Sequence, residues 1–149
     1  MVKFTGTAWV AGWGQYSSVP NEPYVPIDKL MEVHNPIITI DECNKRIHDG
    51  GFKDIWLTDL AICTRDDENM GVCWYDWGAP LFLIKNESYM VQIGIFNVRP
   101  LYFLKCGREG NVATYTRVSK YLGWIHRRIS GCGNHHFHNV TQVFVNPIY

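Results

Sequence analysis

The sequence lacks an excess of charge, a long apolar run and an internal repeat. Its 14 basic and 14 acidic side chains give a formal net charge of zero, so the basic surface typical of a nucleic-acid-binding protein is missing. No stretch approaches the ~20 apolar residues that a transmembrane helix needs. The first six residues contain no apolar segment of the kind found in a signal peptide. We therefore expect no nucleic-acid partner, no membrane insertion and, in the absence of a cofactor motif, no cofactor.

The five cysteines do not form a Cys-x-x-Cys pair, which excludes zinc ribbons and thioredoxin-like motifs. They lie at positions 43, 63, 73, 106 and 132. In a chain of 149 residues, this number favours a disulfide framework with one cysteine left over, and hence a secreted protein. That interpretation conflicts with the missing signal peptide unless Met1 is not the natural start of the secreted chain.

What the sequence does contain is enough apolar material for one folded domain. Hydrophobic residues make up 46% of the chain, and there are six Trp and eight Tyr, so general disorder is excluded. Short apolar runs bounded by turn residues predict strands at 5–13, 30–40 (interrupted by Pro36), 60–64, 80–84, 90–97 and 114–118. Helices are predicted at 40–47, with Asp41 as its N-cap, and at 118–129, ended by Gly131. This order predicts an antiparallel barrel or sandwich.

Six motifs follow one another in an order that resembles a known family. They are Trp-Val-Ala-Gly-Trp-Gly at 9–14, Asp-Glu-Cys at 41–43, Ala-Ile-Cys at 61–63, Cys-Trp-Tyr-Asp-Trp-Gly-Ala-Pro-Leu at 73–81, Ile-Gly-Ile at 93–95, and Tyr-Thr-Arg-Val with Tyr-Leu-Gly-Trp-Ile within 115–125. Together they resemble the C-terminal half of the chymotrypsin/trypsin-family serine proteases. The resemblance implies an all-β fold, a single six-stranded antiparallel Greek-key barrel with a C-terminal α-helix, over residues 1–130. Residues 131–149 are then a short C-terminal extension.

The resemblance also implies how the cysteines pair. The implied disulfides are Cys43–Cys63 and Cys73–Cys106. A third disulfide of the family would need cysteines at the positions of Ala8 and Leu83, and both are lost together. Cys132 lies beyond the matching region and is left as a candidate for an interchain disulfide.

The catalytic positions of the family are altered in this chain. Acyl transfer needs a serine nucleophile, a histidine base, an orienting aspartate and two backbone donors. Trp77 stands at the serine position and Tyr75 at the glycine that supplies one donor. The histidine and aspartate belong to the family's first barrel, which we expect this chain to lack. The resemblance therefore implies an inactive homologue.

The specificity pocket is altered as well. Gly71 replaces the aspartate that forms the pocket floor in trypsin-like members, and Arg99 replaces a glycine at the pocket mouth. The altered positions are Gly71, Asn97, Val98, Arg99 and Ala113. Asp76 is retained, and two interpretations stay open for it. It pairs with an amine from another chain, as it pairs with a new N-terminus in the family, or it forms local hydrogen bonds.

Other features have both a functional and an ordinary interpretation. Cys132, His135, His136 and His138 are zinc-type ligands, but their spacing favours a solvated tail and no metal site. The basic run 126–128 would suit a sulfated glycan or an acidic partner, although cations at a helix C-terminus are common. Asn86 and Asn139 begin N-glycosylation sequons. Residues 140–149 alternate as a strand does, and they add to a partner's sheet or fold back on the barrel.

These observations predict a non-catalytic serine-protease homologue that serves as a protein-binding or structural subunit. The expected partner is a chain that supplies the first barrel, or a larger assembly, since a lone barrel would expose an apolar face. The expected compartment is extracellular. One alternative is an intracellular component of a large assembly with reduced thiols. A second is an active hydrolase that uses Cys132 or residues of a partner chain.

Overall fold

Six strands and two α-helices make up the part of the chain that the computed structural model describes, residues 6–15, 28–67, 70–86, 89–98 and 106–129. The elements are β1 (Thr7–Gly12), β2 (Met31–Ile38), α1 (Ile40–Asp49), β3 (Ala61–Arg65), β4 (Pro80–Asn86), β5 (Tyr89–Val98), β6 (Val112–Arg117), a 3₁₀ turn (Val118–Lys120) and α2 (Leu122–Ile129). Within these ranges, no helix is long and apolar enough to cross a membrane.

The strands close into one barrel in the order β1-β2-β3-β6-β5-β4, with every neighbouring pair antiparallel. The predicted all-β class, the six-stranded barrel and the C-terminal helix are confirmed. Because β3 pairs with β6 and β1 with β4, the second half of the sheet folds back onto the first, as in a Greek key. Closure leaves no free sheet edge among these strands.

The barrel core follows from alternation along the strands. In β1, Ala8 and Val10 are buried while Trp9 between them is only partly so, as expected for a strand with one face inward. The core comprises Ala8, Val10, Ile62, Val72, Leu81, Val91, Ile93, Phe96, Ala113 and Tyr115, with Leu83 packed against it. Ala8 and Leu83 thus contribute apolar packing at the positions where the family has its third disulfide. A second cluster lies under α1 and contains Cys43, Ile47, Cys63 and Val112.

The predicted start of the first helix at residue 40 is confirmed, but its predicted N-cap and the predicted start of the second helix were wrong. Helix α1 begins at Ile40, and the Thr39 hydroxyl accepts a hydrogen bond from the Glu42 N–H. Thr39 is therefore the N-cap, and Asp41 lies inside the first turn, where its charge suits the helix dipole. At the other end of the chain, β6 runs into the 3₁₀ turn, so α2 begins at Leu122 and not at residue 118.

The irregularity predicted at Pro36 is absent, since β2 is continuous from Met31 to Ile38. Pro36 lies opposite Thr7 near the start of β1. The next residue, Ile37, donates its N–H to the Gly6 carbonyl at 2.8 Å. The hydrogen bonding between the strands therefore passes the proline and continues to Gly6, the residue before the start of β1.

Candidate functional site

The segment of residues 73–79, which leads into β4, forms a tight turn held from several sides. The N–H of Ala79 donates to the Asp76 carbonyl at 2.9 Å, and the N–H of Gly78 donates to the Phe96 carbonyl of β5 at 2.9 Å. Cys73 is joined to Cys106 by a disulfide. The turn therefore has a defined position relative to the barrel, and we call it the 73–79 turn.

Asp76 is the centre of this turn. Its carboxylate accepts one hydrogen bond from the N–H of Gly14 at 2.8 Å and another from the N–H of Cys73 at 2.9 Å. A Cβ atom at Gly12 or Gly14 would overlap the carboxylate, so the glycine that ends β1 and the one two residues later leave the space that the side chain fills. Burial raises the pKa of Asp76 above its ordinary value, although the two backbone N–H donors act to lower it. The structure thus shows local hydrogen bonding of Asp76 within this chain.

Three aromatic residues surround Asp76 in sequence and point away from the core. Trp77 lies 5.9 Å from Trp74 and 5.8 Å from Tyr75, measured between ring centroids, and both pairs are edge-to-face. Such contacts stabilise aromatic pairs by roughly 0.5–1.5 kcal/mol beyond area burial. Since 38% to 56% of each residue is exposed, the rings do not fill a closed cleft. They form a ridge on the surface.

Tyr75 has a φ of 72°, the only positive φ of a non-glycine residue within the described ranges. This conformation is strained for a bulky side chain, by about 1–3 kcal/mol. The family has glycine at this position, and the structure keeps a glycine-like backbone with tyrosine present. The disulfide at Cys73 and the hydrogen bonds of Asp76 fix the chain on both sides of Tyr75.

A fourth exposed aromatic residue, Trp13, lies in the segment that runs beside this turn. The N–H of Gln15 donates to the Trp74 carbonyl at 2.8 Å, so the chain after β1 lies alongside the 73–79 turn. Trp13, directly before Gly14, is 57% exposed. We call these four residues, Trp13, Trp74, Tyr75 and Trp77, the aromatic surface.

The predicted pocket floor, Gly71, lies against a carboxylate that sequence reasoning missed. A Cβ atom at Gly71 would overlap the side chain of Asp66, which is fully buried. The Asp66 carboxylate accepts a hydrogen bond from the N–H of Gly107 at 3.2 Å. The Asp66 N–H donates to the Asn111 carbonyl at 2.8 Å, and the Gly110 N–H donates to the Asp66 carbonyl at 3.0 Å. Residues 65–70 look like a solvated charged loop, and no motif in the sequence marks Asp66 as buried.

Three of the remaining pocket positions, Ala113, Asn97 and Val98, lie on the strands β5 and β6. Ala113 is fully buried in the barrel core and pairs with Thr64 across the sheet. Asn97 is exposed near the end of β5, and the backbone of Val98 pairs with Thr114. Arg99 lies outside the described residues.

Both predicted disulfides are confirmed, Cys43–Cys63 and Cys73–Cys106. Asn86 ends β4, but its side chain lies outside the described part. Cys132, His135, His136, His138 and Asn139 also lie outside it. In the described ranges, no group of three or more His, Cys, Asp or Glu side chains could hold a metal ion.

Comparison with known proteins supplies the family context. The sequence model of the Trypsin family matches residues 2–125. The chain is 32% identical over 127 residues to a fibrinolytic enzyme, isozyme C, of Lumbricus rubellus, which covers 80% of this chain and 46% of that protein. It is 32% identical to a tryptase of Mus musculus (81% and 42% covered) and 35% identical to the venom serine protease Bi-VSP of Bombus ignitus (76% and 29% covered). The chain therefore spans less than half the length of these relatives.

Proposed function

The chain belongs to the trypsin family of serine proteases, and from that premise we propose that it is a member without proteolytic activity that acts by binding a protein partner. The observation that carries the proposal is the environment of Trp77. At the position of the family's nucleophile there is an exposed indole ring in edge-to-face contact with two other aromatic rings. An indole has no hydroxyl or thiol to attack a carbonyl.

The residue at one backbone-donor position is also changed, from the family's glycine to Tyr75, although its φ of 72° keeps a glycine-like backbone. Oxyanion stabilisation depends on donors held about 2.7–3.1 Å from the position that the reacting oxygen will occupy. The ring that Tyr75 adds makes an edge-to-face contact with the ring of Trp77. The histidine and aspartate of the triad belong, in this proposal, to a part of the family fold outside this chain. These features support the loss of acyl transfer.

Binding is proposed to use the aromatic surface. Exposed Trp and Tyr side chains on a rigid support are the residues that most often dominate the energy of protein interfaces. Here the support is rigid because Asp76 and the Cys73–Cys106 disulfide hold the turn. The match covers less than half of each of these relatives, which favours as partner a first barrel, within the same molecule or on another chain, or a larger assembly.

The proposed compartment is extracellular. Two disulfides are common in secreted domains and rare in the cytosol, and one relative is named a venom protease. N-glycosylation at Asn86 and Asn139 belongs to the same proposal. The intracellular alternative would require Cys43, Cys63, Cys73 and Cys106 to be reduced.

Covalent active-site probes test the proposal. The purified chain, with trypsin as the positive control, is treated with a serine-directed fluorophosphonate and with a cysteine-directed iodoacetamide, and the modified sites are mapped by mass spectrometry. We expect no fluorophosphonate label on the chain or on the Trp77→Ser variant. Stoichiometric fluorophosphonate labelling of the unaltered chain would disprove inactivity. Labelling of Cys132 that is blocked by a peptide substrate would favour the hydrolase alternative.

A further inference from the structure

The last part of the chain has a net positive charge because it contains no acidic residue. Residues 1–109 contain ten Lys or Arg and all fourteen Asp and Glu, whereas residues 110–149 contain four Lys or Arg and no acidic residue. A protein with zero net charge therefore has an acidic first part and a basic second part. Such asymmetry favours an electrostatic interaction at the basic end.

Within that basic part, two cations already have partners. The Arg117 guanidinium donates to the Ala61 carbonyl at 3.1 Å, and Lys120 pairs with Asp59. These two side chains tie the end of β6 and the following turn to the start of β3. Arg127 and Arg128 belong to none of the ion pairs found among the described residues. Both are exposed on α2.

The exposed side of α2 combines these two guanidinium groups with an indole. The Arg128 guanidinium carbon lies 5.8 Å from the centre of the Trp124 ring, within the range of a cation–π contact. Arg127 also reaches back one turn, with its Nη1 atom 3.6 Å from the place of a Cβ on Gly123. Trp124 is 55% exposed, whereas Leu122, Ile125 and Ile129 are partly buried on the other side of the helix. We call Trp124, Arg127 and Arg128 the basic face.

The helix dipole explains the cations but does not explain the tryptophan. Arginines in the last turn of a helix gain a few tenths of a kcal/mol from the helix C-terminus. An exposed Trp with a guanidinium over its ring gains nothing from that effect. Together, the three side chains place two bidentate donors for an oxyanion beside a flat apolar ring.

We propose that the basic face binds a sulfated polysaccharide. Guanidinium groups bind tetrahedral oxyanions through paired N–H donors, and an indole offers a flat face to the C–H side of a sugar ring. A sulfated chain presents both groups side by side and repeats them. The choice of a glycan over other polyanions rests on the extracellular compartment of the proposed function, and it does not depend on whether the chain is a protease.

Calorimetric titration with a size-defined heparin decasaccharide, at several NaCl concentrations from 0.05 to 0.3 M, tests the proposal on the purified 149-residue chain. The Arg127→Ala/Arg128→Ala variant is expected to bind roughly tenfold to thirtyfold more weakly at the lowest salt. For this variant, the slope of the logarithm of the binding constant against the logarithm of the salt concentration should be shallower by about 1.4. That difference corresponds to two lost ionic contacts with a flexible polyanion. The Trp124→Ala variant should bind more weakly with an unchanged salt dependence, and Trp124→Phe should recover part of the loss.

The matched control is Lys45→Ala/Lys53→Ala, which removes the same charge from two exposed sites elsewhere. It should leave binding within about twofold. An equal loss in the control would overturn the proposal, because net charge alone would then explain binding. Equal affinity for desulfated heparin, or tighter binding of polyglutamate or phosphatidylserine vesicles, would overturn the assignment to a sulfated glycan. Labelling with the active-site probes is measured separately, so failure of the proposed inactivity is distinguishable from failure of this site.

Discussion

The N–H of Gly14 donates a hydrogen bond to Oδ1 of Asp76 at 2.8 Å, across 62 positions of sequence. The contact joins the end of β1 to the turn that places Trp77 on the surface. It exists because neither Gly12 nor Gly14 has a Cβ atom to occupy the space of the carboxylate. The Gly-Trp-Gly motif and the altered nucleophile segment are therefore one structural unit.

The first prediction concerns that unit. Gly14→Ala is expected to lower the free energy of unfolding by about 2–4 kcal/mol, since the new methyl group displaces the carboxylate and leaves buried polar groups without their hydrogen bonds. Urea denaturation followed by circular dichroism measures the change. Gly123→Ala serves as the control, because a Cβ there meets only Arg127 at 3.6 Å. Because Gly123 lies at an exposed helical position, Gly123→Ala should raise the free energy of unfolding by up to ~1 kcal/mol. If Gly14→Ala left the free energy of unfolding unchanged, the fit of the Asp76 carboxylate between Gly12 and Gly14 would be contradicted.

The second prediction is a pH dependence with a defined sign. Because burial raises the pKa of Asp76 above the model-compound value of 3.8, the native state holds this proton more tightly than the unfolded chain does. The contribution of Asp76 to stability is therefore fully present below about pH 3.8 and is lost as the pH rises through the higher native pKa. The stability difference between the protein and its Asp76→Asn variant should decrease from pH 3 to pH 7 in urea titrations.

The contribution of Asp59 to stability should depend on pH with the opposite sign. Its hydrogen bond and charge interaction with Lys120 lower the pKa of this exposed carboxyl. Its contribution to stability is thus present above the unfolded pKa and is lost as the pH falls. The stability difference between the protein and Asp59→Asn should increase with pH. Parallel slopes for the two variants would show that the burial of Asp76 does not control its titration.

Most strands could be predicted from short apolar runs bounded by turn residues, which left a barrel and a sandwich both open. The closed six-stranded barrel and the pairing Cys43–Cys63 and Cys73–Cys106 were implied only by the resemblance to the family. Helix ends were less predictable. Thr39 and Asp41 are both good N-caps, and only the position of β2 in the barrel decides between them.

The buried carboxylate of Asp66 could not be predicted, for a different reason. Its burial depends on the empty space at Gly71 and on the N–H of Gly107, which are distant in sequence and belong to no shared motif. Composition instead favoured a solvated loop. The exposure of Trp74, Tyr75 and Trp77 was equally undetermined, since aromatic residues suit a filled cleft and a binding surface alike.

The third prediction ranks the two disulfides. Loop entropy alone gives a slightly larger effect for Cys73–Cys106, with a sequence separation of 33, than for Cys43–Cys63, with a separation of 20. Burial predicts the reverse, because Cys43 and Cys63 are both fully buried beside Ile47 and Val112. We expect Cys43→Ala/Cys63→Ala to lose about 4–5 kcal/mol and Cys73→Ala/Cys106→Ala about 3 kcal/mol. Thermal denaturation of the two variants side by side shows which of them loses more stability. A larger loss in Cys73→Ala/Cys106→Ala would refute the packing argument.

The fourth prediction concerns the loop between α1 and β3. The buried Asn44 side chain donates to the Leu57 carbonyl at 2.9 Å and accepts from the Leu57 N–H at 2.8 Å. Asn44→Ala should lower the free energy of unfolding by about 2–3 kcal/mol, because both backbone groups of Leu57 lose their partner. Asn97→Ala, at an exposed site, should change it by less than ~0.5 kcal/mol.

Asn44→Asp separates the two hydrogen bonds. At pH 7 the carboxylate still accepts from the Leu57 N–H but places a second negative oxygen against the Leu57 carbonyl, so we expect a loss at least as large as in Asn44→Ala. At pH 3 the protonated carboxyl donates to that carbonyl, and much of the stability should return relative to the unaltered chain at the same pH. Urea titrations at the two pH values measure the recovery. A variant equally unstable at both would mean that the loop is held by packing of Leu57 and not by the paired hydrogen bonds.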